Sequence, residues 1–314
     1  MSKIGWLVND CLASFSGVIT FWHNLLEWFP ELIDKTNGYT NYSILSYTIE
    51  NELLNNIKPQ YIIRNGTYFP KINTDVKQIS LIQDIQINSK ELFNQQLDVI
   101  NNSELVIFNT NYVYNKYQKF INSNIPVKIC PLGVDFNFFK PLKERHPDVL
   151  PNSILFIGAS NNYPKGFNVL LNIIDKMDNQ NFCLIMKDDF SYESLNRNIR
   201  DRVVVFNHAD KETVRLIINS SILVLCTSYE ETQHLSGIEC GACNIPIVAR
   251  DVGVYFDNKD DLRWGCIADN SNFVEKINDV LNNINKYSPR ECFIDKYTTD
   301  ICKKNWTEII NNIE

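Results

Sequence analysis

The sequence predicts an α/β protein made of two Rossmann-like, doubly wound domains facing across a cleft. Three observations predict it. Short apolar runs, often β-branched, alternate with helical patterns from end to end, as parallel strands buried on both faces and their crossover helices do. The 314 residues exceed one ordinary core and suit two. A stretch dense in proline and charge, holding Pro131, Pro141, Pro147 and Pro151, divides the chain. The expected division is residues 1–135, a linker at 136–150, a second domain at 151–288 and a C-terminal helix at 289–314.

In the first domain Lys3–Val8, Ser43–Ser46, Tyr61–Ile63, Ile79–Gln83, Leu105–Asn109 and Val127–Cys130 read as strands. Helical spacing lies between them at Ile19–Phe29, Ser89–Asn101 and Asn111–Asn122, and Ile62–Asp75 holds a loop. The second series of strands is Ser153–Ile157, Phe182–Met186, Val203–Phe206, Ile222–Cys226, Ile245–Ala249 and Trp264–Ala268. Its helices are expected at Phe167–Met177, Lys211–Asn219, where Asp210 is a natural N-cap, and Phe273–Ile284. Pro289–Glu314 reads as one helix with Trp306, Ile309, Ile310 and Ile313 on its apolar side; packing on its own domain and crossing back to the first both fit.

Hydrophobic content of 44% and charged content of 21% are those of a globular chain, and no apolar run is long enough to span a membrane. The opening Met-Ser-Lys-Ile-Gly-Trp-Leu-Val turns polar at Asn9-Asp10, so it reads as a first strand and not a signal peptide. A net charge of −7 argues against nucleic acid or anionic lipid as partners, so any phosphate site must be local. Nine scattered cysteines, an odd number, fit a reduced cytoplasmic compartment. Cys240-Gly-Ala-Cys243 is a lone pair, and none of His23, His146, His208 and His234 completes a zinc set, so no metal or resident cofactor is expected.

The densest signal is Ser228-Tyr-Glu-Glu-Thr-Gln-His-Leu-Ser-Gly-Ile-Glu-Cys-Gly-Ala-Cys-Asn-Ile-Pro-Ile-Val-Ala249. Glu231 and Glu239 stand with seven residues between them, and a small-residue helix and a buried strand follow. The helix start offers free backbone N–H groups at Leu235, Ser236 and Gly237, an anion site suited to a diphosphate. Ser236-Gly-Ile-Glu239 reads equally as a capping box. Glu230 lacks the spacing to Glu239 and reads as a solvated neighbour. Upstream, Ile154–Leu171 is a strand, a loop and a helix, with Lys165-Gly166 at the helix start. A cation there opposes the helix dipole unless it faces a bound anion, and Gly166 lets the backbone approach closely.

This pattern resembles the Glu-x7-Glu signature of retaining glycosyltransferases with the GT-B fold, family 4 (group 1) in particular, most closely over residues 131–270. The resemblance implies a sugar moved from a nucleotide-diphosphate sugar to an acceptor hydroxyl on a glycan, lipid or protein, with front-face attack. Lys165, Gly166 and the amides near Leu235–Gly237 would hold the diphosphate, Glu239 the ribose, and Glu231 the transferred sugar. Pro131-Leu-Gly-Val-Asp135 matches the family's linker motif, and a family arginine has no counterpart at Ala159-Ser160. Lys187 at a strand end would supply that charge, or is a solvated lysine. Asn207 and His208 fall where the family meets the base, or are loop residues. Gly17, after Ser16, stands where the family has a glycine-rich loop, and Asp84 ends a strand on the cleft side, with no histidine near it. No Asp-x-Asp occurs, which disfavours a metal-dependent GT-A enzyme. A nucleotide-sugar hydrolase or epimerase and a non-catalytic nucleotide-sugar binder are the competing readings. A dinucleotide oxidoreductase is weaker, for want of a Gly-x-Gly-x-x-Gly fingerprint.

Overall fold

A computed structural model describes residues 4–7, 24–25, 27–29, 32–34, 61–65, 75–161 and 163–312. The chain forms two compact units, one of Met1–Leu132 with Cys302–Glu314, the other of Gly133–Ile301. Among the described residues both sheets are six-stranded and parallel. The expected α/β class with two parallel-sheet domains is what is observed.

The first sheet holds β1 (Ile4–Leu7), β2 (Leu32–Asp34), β3 (Tyr61–Asn65), β4 (Lys77–Ile82), β5 (Leu105–Phe108) and β6 (Val127–Ile129), in the order β2-β1-β3-β4-β5-β6. Among the described residues two complete helices cross over, α1 (Lys90–Asn101) and α2 (Asn111–Tyr117), capped by Ser89 and Thr110. Residues 43–46 lie outside the described residues, as does most of 19–29, although positions 24–25 and 27–28 are helical. Strand β2 was not foreseen; three residues are too few for a period to register.

The second unit runs β7 (Ser153–Gly158), α3 (Phe167–Lys176), β8 (Phe182–Met186), α4 (Arg197–Arg200), β9 (Val203–Asn207), α5 (Lys211–Ser220), β10 (Ser221–Cys226), α6 (Leu235–Ala242), β11 (Ile247–Ala249), α7 (Val254–Asp257), β12 (Gly265–Ile267) and α8 (Phe273–Asn282). Its core packs β7, β8 and β10 between helices, with Leu170, Ile173, Ile174, Leu184, Leu223 and Ile277 buried. Asp210 caps α5 by accepting from the Thr213 N–H at 2.8 Å, as its position predicts. Residues 136–150 are strapped to this unit: Asn219 accepts from the Leu142 N–H at 2.7 Å and Ser220 Oγ from the His146 N–H at 2.7 Å.

Pro289–Glu314 is not one helix. It splits into α9 (Pro289–Tyr297) and α10 (Thr299–Asn311). Thr298 is extended (φ −75°, ψ 154°) and bridges Val134, which donates to the Tyr297 carbonyl and accepts from the Thr299 N–H. Three residues of tertiary pairing outweigh a helical pattern that had no glycine or proline to interrupt it. From Cys302 onward α10 belongs to the first unit, where Asn305, Glu308, Ile309 and Asn312 face Lys77, Glu104 and Lys128 across a recess of about 470 Å³. Among the described residues no helix is long and apolar enough to cross a membrane.

Candidate active site

The second sheet runs β12-β11-β10-β7-β8-β9, so the chain winds outward in both directions from β7 and β10. That reversal makes a topological switch point at β7 and β10, and open α/β sheets take ligands beyond the carboxyl ends of the strands at such a point. Two loops meet there. Tyr229 N–H donates to the Pro164 carbonyl at 2.7 Å, and Thr227 Oγ1 donates to the Lys165 carbonyl at 3.0 Å. Gly166 is left-handed (φ 64°), and a Cβ on it would lie 2.1 Å from the Thr227 carbonyl oxygen. Only glycine fits both the angle and the approach.

This clamp sets Lys165 against Glu231. Lys165 Nζ lies 2.7 Å from Glu231 Oε1, and Ser228 Oγ donates to the same oxygen at 2.7 Å. The carboxylate is 9% exposed and the ammonium 24%. Burial alone would raise the Glu231 carboxyl, but Lys165, His234 and the hydrogen bonds from Lys165 and Ser228 outweigh it and hold it at about 2.

Helix α6 starts at Leu235 behind His234, which is left-handed (φ 71°, ψ 66°) and makes no side-chain cap. The Gly237 and Ile238 amides turn back to the His234 carbonyl at 3.0 and 3.3 Å, whereas those of Leu235 and Ser236 make no hydrogen bond among the described residues. They are the open donors expected at a helix start. The capping box does not form: Ser236 lies inside the helix, and Glu239 accepts no hydrogen bond among the described residues. Burial pushes the Glu239 carboxyl up to about 7, against the pull of Lys187 and Lys211. The helix ends in a Schellman turn at Asn244 (φ 63°), where Asn244 N–H donates to Gly241 and Ile245 N–H to Cys240.

Lys187 directly follows β8 and is solvent-exposed. Lost hydration and the Lys165 cation lower its pKa, while Glu231 and Glu239 raise it. Lys165, Lys187, Glu231 and Glu239 therefore share one electrostatic neighbourhood.

Other expected residues are engaged differently. The Ser160 amide and hydroxyl and the Asn161 amide all donate to Asp188. Burial works against that carboxylate, but these hydrogen bonds hold its pKa below the usual range. Ser160 thus braces the loop after β7. Asn207 donates to the Phe190 carbonyl at 3.0 Å, and His208 (φ 52°) pairs with Asp189 at 2.9 Å, so both secure the loop after β8 from an exposed edge. Asp84 lies in the first unit, two residues past β4, where its carbonyl accepts from Gln96 at 3.2 Å. Gly17 lies outside the described residues. Sequence reasoning missed Thr227, Ser228, Asp188, His234 and Tyr255. Ser228 and His234 stand inside the Glu231 run and Thr227 just before it, and that adjacency was the available signal.

Cys226, Glu231 and His234 bring three potential metal ligands within 4.8 Å of one another. The set suits a cation poorly. The Lys165 ammonium already sits on Glu231, the His234 Nδ1 is taken by the Tyr255 hydroxyl, and burial raises the Cys226 thiol to about 12, far from thiolate.

Residues 151–283 match the family model for Glycosyl transferases group 1. No curated protein sequence matches the chain significantly. Sucrose-phosphate synthase from Thermosynechococcus elongatus superposes with a TM-score of 0.85 at 13% identity, over 100% of this chain and 99% of that one. Anabaena HepE in complex with UDP-glucose gives 0.78 at 14% identity, over 100% of each chain. TarM of S. aureus gives 0.63 at 19% identity, over 80% of this chain and 55% of its own. At such identities the likeness is one of fold. The architecture is of the GT-B type, and the group 1 resemblance holds on sequence over the second unit.

Proposed function

We propose that the chain is a retaining, metal-independent glycosyltransferase that moves a sugar from a nucleoside-diphosphate sugar to an acceptor hydroxyl. The reading rests above all on the convergence of Lys165, Lys187, Glu231 and Glu239 around the open first turn of α6. Free amides and two ammonium groups suit a diphosphate, whose negative charge grows as the sugar departs. Glu239, one turn inside the helix and without a hydrogen-bond partner among the described residues, suits the two hydroxyls of a ribose. Glu231, ion-paired and held at about 2, is too weak a base to take the acceptor's proton near neutrality. In the proposed reaction the acceptor oxygen bonds to the anomeric carbon as the carbon–oxygen bond to the diphosphate breaks. The acceptor's proton passes to the departing phosphate oxygen on the same face. The chain's residues then position the reactants and stabilise the leaving charge. The acceptor is a glycan or a lipid- or protein-linked hydroxyl.

Calorimetric titration with UDP, GDP, ADP and NAD tests the nucleotide half of this reading. UDP comes first, because HepE binds UDP-glucose. Wild type is expected to bind one diphosphate and not NAD. Glu239→Ala should weaken that binding by about 10–100-fold, the worth of one or two hydrogen bonds to a charged group at roughly 1.5–3 kcal/mol. Binding of none, or equal binding by both proteins, would reduce Glu239 to a helix residue and remove the assignment.

A proton follows from the same geometry. With its carboxyl near 7, Glu239 is part-protonated at neutral pH, and hydroxyl donors favour the ionised form. Nucleotide binding at pH 7 should therefore release protons. The heat of binding should vary with the ionisation enthalpy of the buffer, and Glu239→Gln should erase that variation. A buffer-independent heat in wild type would contradict it.

A further inference from the structure

His234 is the residue whose local structure the reading above does not use. Its backbone is left-handed, a conformation that disfavours any residue with a Cβ, and it is 8% exposed. Three features of the fold hold it there. Gly253 brings α7 against residue 233 so closely that a Cβ would lie 2.9 Å from the Gln233 carbonyl, which also accepts from Val254 N–H at 3.1 Å. The Tyr255 ring, buried and 4.8 Å from the Trp264 ring, sets its hydroxyl 2.6 Å from His234 Nδ1. Gly237 leaves the space for that contact, since a Cβ there would lie 2.0 Å from Tyr255 Oη and 2.5 Å from His234 Nδ1.

The hydrogen bond fixes the tautomer. A tyrosine hydroxyl can donate or accept, but Tyr255 Oη has no other hydrogen-bond partner among the described residues, so donation to Nδ1 is the direction that leaves no buried O–H unsatisfied, and the proton of the neutral ring then sits on Nε2. Burial lowers the His234 pKa to about 4, with Lys165 and Lys187 adding to the effect and Glu231 opposing it. Burial also pushes the Tyr255 hydroxyl well above its ordinary value, so it keeps the proton that it can donate. Nε2 makes no hydrogen bond among the described residues. An imidazole nitrogen lies within 4.8 Å of a Glu231 carboxylate oxygen, so the ring stands beside the Lys165–Glu231 pair, on the residue that immediately precedes the open Leu235 and Ser236 amides.

We propose that His234 is a specificity-determining residue of the donor site, whose Nε2–H, fixed by Tyr255, donates to the distal phosphate of a nucleoside diphosphate at the start of α6. The inference rests on the transferase reading. A neutral donor fits a site whose Lys165 charge is already matched by Glu231, and it discriminates a diphosphate from a monophosphate, which lacks the acceptor. Strain at a left-handed non-glycine residue persists where the surroundings over-determine it, which is the pattern of ligand sites.

The test compares diphosphate and monophosphate binding in four proteins: wild type, His234→Gly, Tyr255→Phe, and the double variant. Glycine accepts the left-handed angle, and the double variant leaves no buried hydroxyl unpaired. UDP, GDP and ADP are titrated with their monophosphates. For the diphosphate that wild type binds, His234→Gly and the double variant should bind about 10-fold more weakly, or about 1.4 kcal/mol, with monophosphate affinity unchanged. Tyr255→Phe frees the tautomer and should lose less. In wild type, the nitrogen-15 spectrum should show a neutral Nε2–H ring whose signal shifts with diphosphate and not with monophosphate, a readout that a purely structural histidine would not give. Equal loss for both nucleotides, no loss, or a spectrum unmoved by diphosphate overturns the inference while leaving the donor-site reading standing. Failure of wild type to bind any diphosphate overturns both.

Discussion

Lys165→Ala is expected to lose turnover and stability together. The ammonium is the ion-pair partner of a carboxylate that is 9% exposed. Breaking a buried pair by removing one partner costs about 3–5 kcal/mol, and the 24% exposure of Lys165 places this case at the low end or below. Turnover should fall by roughly 100–1,000-fold, the usual effect of deleting one group that stabilises developing charge. The two losses separate by pH. In wild type the Glu231 carboxyl is depressed, so its stabilising effect is full above its unfolded value of 4.5 and fades as pH falls toward about 2. In the variant burial is unopposed by Lys165, the carboxyl titrates higher, and acidification relieves the penalty instead. Thermal scans of wild type and variant should converge as pH falls. Lys165→Ala with Glu231→Gln should recover stability and not activity. A single variant that is as stable as wild type at pH 7 would mean that the pair is solvated and idle.

Gly166→Ala carries the second large effect. It combines a left-handed backbone (φ 64°) with a Cβ placed 2.1 Å from the Thr227 carbonyl oxygen. Backbone strain of about 1–3 kcal/mol adds to overpacking of similar size, because the obstacle is main chain and cannot turn aside. At about 2–4 °C per kcal/mol for a domain of this size, the melting temperature should drop by roughly 5–15 °C. The loop must shift by more than an ångström, which pulls Lys165 off Glu231, so diphosphate affinity falls as well. Unchanged melting would show that the two loops are not clamped as described.

The fold and the site differ in how far the sequence disclosed them. Strands such as Phe182–Met186 and Ser221–Cys226 are continuous apolar runs, and a run of that kind has few alternatives to a parallel strand buried on both faces. Glu231 and Glu239 were legible because their spacing fixes them on one loop and one helix turn. The capping box was not decidable, since the same four residues satisfy a cap or leave it open according to where the helix begins. Here the left-handed His234 starts it at Leu235 and strands Ser236 inside. Tyr255 and Asp188 reach the site from 16 residues after Glu239 and from the neighbouring strand end, contacts that no local pattern encodes. The break at Thr298 was hidden for the same reason, because its cause is Val134, more than 160 residues earlier.

The split ownership of the last helix imposes an order on synthesis. The second unit is one continuous segment, Gly133–Ile301, and can assemble once that segment has emerged from the ribosome. The first unit includes Cys302–Glu314, so strands made early are completed by a segment that starts 170 residues after Leu132, with Trp306 buried and Ile309 nearly so once it has docked. Until that segment has emerged, β4, β5 and β6 must wait without that cover. During synthesis the first unit therefore leaves apolar surface uncovered over a longer stretch of translation than the continuous second unit requires.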